Sequence, residues 1–165
     1  MSRATDEMHF GGGDSQEAPA PRRTLFADVG DFHQKMGLPV AGHMLPRQLT
    51  NEEFDYRRDF MLEELTEFTD AFAENDGPGM ADALVDLVYV ALGTAHYMGL
   101  PFDELWDEVQ RANMAKRRWR EGDPVKPRAA GTPGLDVVKP EGWVGPDIAG
   151  VLGRFRERVG GRYRK

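Results

Sequence analysis

Apolar side chains recur at helical spacing in four successive segments of the chain. The first runs from about Thr24 to Met36, with Leu25, Phe26, Val29, Phe32 and Met36 on one side, and Gly37 and Pro39 stop it. The second opens at Thr50, where Thr50–Asn51–Glu52–Glu53 forms a capping box. Met61, Leu62, Leu65, Phe68 and Phe72 then keep the spacing to about Asn75, and Asp76–Gly77–Pro78–Gly79 reads as a turn. The third segment spans about Met80 to Met98. Its centre, ADALVDLVYVALGTA, is apolar round nearly the whole circumference, the mark of a buried helix. Gly99 ends it. Pro101 takes a first-turn position of the fourth helix, with Asp103 and Glu104 at the positive end of its dipole. Phe102, Leu105, Trp106, Val109 and Ala112 form the inner stripe of that helix. Four such helices with short connections predict an all-α fold, an antiparallel four-helix bundle.

The flanks differ in character. Residues 1–23 carry Gly, Pro, Ala and charge without apolar periodicity and read as a disordered leader. Residues 24–119 make the helical domain. Residues 120–165 read as a Pro- and Gly-rich arm, a short helix around Ile148–Phe155 and a basic tail, RFRERVGGRYRK.

Composition narrows the function classes. A chain of 165 residues, 40% hydrophobic and 30% charged, supports one globular domain. No stretch approaches the ~18 consecutive apolar residues of a membrane span, and the opening MSRATDEMHFGGGDSQ lacks a signal-peptide core. The absence of cysteine excludes disulfides and thiolate metal sites and agrees with a cytoplasmic compartment. Net charge is −7, with acids crowded over 52–108 and bases over 111–128 and 154–165. The acidic balance disfavours nucleic acid as a partner. Dense carboxylates instead hold hard cations, which in turn hold phosphates.

Asp82 and Asp86, four residues apart on the apolar third helix, carry the sharpest signal. Buried carboxylates must be paired, protonated or metal-bound. One reading pairs them with Arg57, Arg58 or another basic side chain. The other places them opposite Glu64 and Glu67 of the run MLEELTEF, across an antiparallel seam between the second and third helices. Four converging carboxylates favour Mg²⁺, or Mn²⁺ in its place, over zinc. On the fourth helix Arg111, Asn113, Lys116, Arg117 and Arg118 crowd the C-terminal end, which serves the helix dipole or grips phosphate. His33, His43 and His96 have no metal-ligand spacing, and neither a GxxxxGK[ST] loop nor a GxSxG elbow is present. Phe32, Tyr97, Trp106 and Trp119 read as core, with a purine platform as the alternative.

These residues, in this order and spacing, resemble the all-α NTP pyrophosphohydrolases of the MazG-like and phosphoribosyl-ATP pyrophosphohydrolase-like group. The resemblance rests on FHQKMGLP, FMLEELTEF, DALVDLVYVALGTA, RANMAK and VKPEGWVGPDI, and runs from about Phe26 to Ile148. It implies that Glu64 and Glu67 fill the paired-glutamate motif and Asp86 the aspartate of the third helix. Members with Glu-x-x-Asp there carry an acid where this chain has Ala83; here Asp82 supplies the extra carboxylate one position earlier, which resembles the pattern of the phage-type and phosphoribosyl-ATP-like branch. Asn113 and Lys116 match phosphate-contacting positions, and Lys139 and Trp143 fall in an arm that closes near the nucleotide. The implied reaction is Mg²⁺-assisted attack of water on the α-phosphorus of an NTP or dNTP, releasing NMP and pyrophosphate, with a lean to guanine nucleotides. Glu63 is a candidate for orienting the water, or a surface residue. A homodimer or homotetramer is expected, since members typically build the site with a partner subunit. Phosphoribosyl-ATP as the substrate, and a non-catalytic helical binding module, are the alternatives.

Overall fold

A computed structural model describes residues 23–124 and 131–160. Helix α1 covers Leu25–Met36; the Thr24 hydroxyl accepts from the Ala27 N–H, and Gly37 ends the helix at φ 70, a left-handed conformation that favours glycine. Helix α2 covers Asn51–Ala73. Its capping box is complete: Thr50 Oγ1 accepts from Glu53 N at 3.2 Å, and Glu53 Oε2 accepts from Thr50 N at 2.9 Å. Arg47 grips the same carboxylate with both terminal nitrogens at 2.7 Å.

Helix α3 covers Gly77–Tyr97 and so begins inside the segment expected to be a turn. Asp76 is its N-cap, accepting from Gly79 N at 3.1 Å. Pro78 is tolerated because first-turn N–H groups need no intrahelical partner. Helix α4 covers Phe102–Met114, with Pro101 just before its first residue. Two short strands follow: β1 (Arg117–Arg118) pairs antiparallel with β2 (Val137–Val138) in the register Arg117 to Val138. Helix α5 covers Ile148–Gly160, longer than expected, and takes in the first part of the basic tail. The leader over 1–22 and the tail end over 161–165 lie outside the described residues.

The fold is all-α apart from the strand pair. Helices α2 and α3 pack as a hairpin, α1 lies against α3, and α4 packs on α5. Val29, Ala83, Val90, Leu92, Ala95, Leu105, Ala112 and Val151 make the core. The loop after α1 is tied down by two buried histidines. His33 Nδ1 donates to Pro39 O at 2.7 Å; His96 accepts from Ala41 N at 3.0 Å and donates to Phe26 O at 2.9 Å.

Several expected core positions face outward. On α1, Leu25, Phe32 and Met36 are exposed while Val29, Gly30 and His33 are buried. On α2 the stripe of Leu62, Leu65 and Phe72 is exposed; the buried positions are Arg57, Glu64 and Ala71, spaced by seven. Trp106 of α4 is exposed too. The largest correction concerns α3. Leu84, Val85 and Val88 stand out from the chain, so this helix is not enclosed all round by its own protomer. By length and composition alone it would also suffice to cross a membrane.

Candidate active site

The heptad stripe of α2 sets the site. Glu64 shares with Arg57 and Ala71 the face turned into the α2–α3 hairpin and is 6% exposed. Among the described residues no lysine or arginine pairs with it. Burial pushes its carboxyl above the ordinary glutamate range, and the charges of Glu67, Asp86, Glu63 and Asp82, in that order, push it further the same way. The hairpin thus brings the other four acidic residues within electrostatic reach of Glu64. Glu63, Glu67, Asp82 and Asp86 are themselves exposed. The carboxylate that burial makes costly is therefore Glu64, not the aspartates, because α3 is open along the side that carries them.

Among the described residues no basic side chain pairs with the aspartates. Arg57 donates to Val90 O at 2.6 Å and Thr94 Oγ1 at 3.0 Å. Arg58 is engaged by Asp55 and Asp59. As placed, the acidic oxygens among the described residues do not converge on one point in the manner of a closed cation site. The donor set nonetheless fits a hard divalent cation: it is all carboxylate, it includes one buried member, and no described residue supplies a basic partner to that member.

Beside this seam lies a pocket of about 270 Å³, lined by Glu64 and Asp86 and by Phe32, His33, Leu38, Arg57, Phe60, Tyr89 and Val90. Sequence reasoning treated Arg57 as a possible counter-ion and His33 as a failed metal ligand, and missed both as pocket walls. The seven-residue spacing from Arg57 to Glu64 was the available signal.

Asn113, Lys116, Lys139 and Trp143 come together elsewhere, at the C-terminal end of α4. The arm is tied back there. Trp143 Nε1 donates to Ala112 O at 2.7 Å, Trp119 N to Asp136 O at 3.0 Å, and Asp147 N to Glu108 Oε1 at 2.8 Å. The indole of Trp143 carries two ammonium groups, Lys139 Nζ at 4.2 Å and Lys116 Nζ at 5.7 Å from its centroid. Lys116 also donates to Asn113 Oδ1 at 2.7 Å. Within the protomer no hydrogen bond, ion pair or ring contact among the described residues joins this basic cluster to the acidic seam.

The family model described as phosphoribosyl-ATP pyrophosphohydrolase matches residues 29–113, just over half the chain, from within α1 to the end of α4. A comparison with curated proteins finds no match.

Proposed function

Because the chain belongs to the phosphoribosyl-ATP pyrophosphohydrolase family, within the MazG-like superfamily of NTP pyrophosphohydrolases, we propose that it cleaves a nucleoside triphosphate to NMP and pyrophosphate. One observation carries the reading: Glu64 is buried in the α2–α3 hairpin with four other carboxylates near it, without a basic partner among the described residues. Structure alone does not explain such a group, since an unpaired buried charge is a net cost. Binding a divalent cation does. Superfamily members are generally divalent-metal dependent.

In this reading Glu64, Glu67 and Asp86, with Asp82, hold Mg²⁺ (or Mn²⁺). When bound, the ion supplies charge for the phosphate oxygens and a water of lowered pKa. The chain's own groups do the rest. Glu63 orients the water that attacks the α-phosphorus. Asn113, Lys116 and Lys139, steadied by Trp143, offset the charge on the departing pyrophosphate as the α–β bridging bond breaks. Because the basic cluster and the acidic seam are separate within one protomer, a second copy contributes one of the two halves, as a homodimer or homotetramer. Phosphoribosyl-ATP is the second reading of the substrate, favoured by the matched family's own description; the bond cut is the same.

The test is a product assay on the eight common NTPs and dNTPs and on phosphoribosyl-ATP, with Mg²⁺ or EDTA. We expect metal-dependent pyrophosphate and monophosphate, lost in Glu64→Gln and Asp86→Asn. Turnover of phosphoribosyl-ATP alone would transfer the assignment to the second reading. A folded protein with no turnover and no Mg²⁺ binding would sink both.

A further inference from the structure

Arg57 is an arginine with an unfinished set of hydrogen bonds. It is 6% exposed, and its guanidinium lies near the Tyr97, Phe60 and Tyr56 rings at 5.3, 5.5 and 5.9 Å from their centroids. Nε is used on Thr94 and Nη2 once on Val90, while Nη1 makes no hydrogen bond among the described residues. A guanidinium has five N–H donors and no acceptor, so donors remain on the pocket wall. His33, 3% exposed, is its neighbour. Because His33 Nδ1 faces the Pro39 carbonyl, which only accepts, the ring proton sits on Nδ1 and Nε2 is left as a bare acceptor. Both groups are pressed against the α3 backbone at Gly93: a β-carbon there would lie 2.9 Å from Arg57 Nη2 and 2.9 Å from His33 Nε2. Glycine at this position leaves both groups the room that a β-carbon would take.

The pocket they wall also has aromatic sides, Phe32, Phe60 and Tyr89, and the acidic seam at one end through Glu64 and Asp86. Its volume of about 270 Å³ falls just below the ~300–1,000 Å³ that encloses a whole drug-sized ligand, a size for a planar ring system with its phosphates outside. Resting on the nucleotide reading above, we propose that this pocket seats the base and selects a lactam edge. Arg57 donates to the exocyclic oxygen and His33 Nε2 accepts from the adjacent ring N–H. Guanine, hypoxanthine, uracil and thymine present that pattern. Adenine and cytosine present an amino donor where Arg57 also donates, and a bare ring nitrogen where His33 has only a lone pair. A site built of buried polar groups rejects the mismatched base because its own groups are then left unpaired.

Nucleosides test this without catalysis. Inosine against adenosine, and uridine against cytidine, are titrated in EDTA while the backbone amide resonances of the pocket helices are followed by NMR. We expect inosine and uridine to bind about 10–100-fold more tightly than their amino counterparts, the scale of one well-made bidentate reading. Arg57→Gln, whose amide both donates and accepts, should erase most of the preference; Gly93→Ala should erase it by moving both groups while α3 remains folded. Equal binding of each pair, or no binding of any nucleoside at millimolar concentration, overturns the proposal. The readout is independent of hydrolysis. Lactam-selective binding without turnover would leave the pocket standing and the proposed reaction in error, and turnover without such selectivity would do the reverse.

Discussion

Glu64 shows how one side chain can work against the fold that holds it. Its carboxyl is raised by burial and by four like charges, so the folded state binds a proton more readily than the unfolded chain. In metal-free protein the ionised group therefore subtracts stability above the ordinary glutamate pKa, and the loss fades as pH falls through the raised folded value. Glu64→Gln should raise the stability of the apo protein at pH 7.5 by about 0.5–2 kcal/mol, the range of substitutions that relieve a functional site. Activity should fall on the order of 10²–10³-fold, as when one electrostatic group is lost from a preorganised site. Thermal melts in EDTA beside pyrophosphate release check both halves; a destabilised, active variant would contradict them. The buried histidines carry the opposite sign. Burial lowers the folded-state pKa of both His33 and His96 below 6.5. The unfolded chain then takes up protons first, and stability is whole above about pH 6.5 and declines below it. Each contributes a slope of at most ~1.4 kcal/mol per pH unit. Melting at pH 7.5 and pH 6 reads this decline, which His96→Gln should flatten.

At the scale of elements, local chemistry governs the helix ends. Thr50→Ala removes the acceptor for Glu53 N and half of the capping box, and should cost about 1 kcal/mol of stability with little change in kcat. Denaturant titration and steady-state kinetics separate the two effects. The same local rules misjudge the start of α3. Gly77 and Pro78 look like breakers, but at the first turn they interrupt no hydrogen bond, and Asp76 caps the helix from before them. The arm shows the limit of local reading. KPEGW is legible as a motif, yet nothing in it says that the indole will reach Ala112 O and carry Lys116 and Lys139. Trp143→Phe keeps an aromatic face and loses only the N–H donor. In the proposed role it should raise KM more than it lowers kcat, whereas Trp143→Ala should affect both. Substrate-saturation curves for the pair provide the check.

For the molecule as a whole, the open face of the α2–α3 hairpin is the dominant fact. Phe72 at 70% exposure and Val85 at 64% stand with Leu62, Leu65, Leu84 and Val88 on this pair of helices, and exposed apolar side chains gathered on two packed helices are what an interaction site offers. If a second copy covers it, the protein is a stable dimer or tetramer by light scattering, and Val85→Glu yields monomer with a lower melting temperature and little activity. A monomeric wild type at micromolar concentration would remove the second copy from the proposed site. Mg²⁺ should stabilise the assembled protein by about 2.7 kcal/mol at a hundredfold excess over its dissociation constant, by mass action. The increment should vanish in Asp86→Asn.

Helix number, the α2 cap and the order of acidic and basic segments are written in the sequence, because they depend on neighbours within a few residues along the chain. The family likeness could be read there too, since its motifs are local runs at fixed spacing. Tertiary structure alone decided which polar side chains are buried. Periodicity distinguishes apolar from polar faces, so it assigned Leu62, Leu65 and Phe72 to the core and read Asp82 and Asp86 as enclosed; packing instead turned the Arg57–Glu64–Ala71 stripe inward and left α3 open. An arginine and a glutamate seven residues apart look like surface charge until α3 approaches closely enough, at Gly93, to bury the arginine beside His33. That approach depends on the shapes of two elements meeting in space, and one-dimensional spacing holds no record of it.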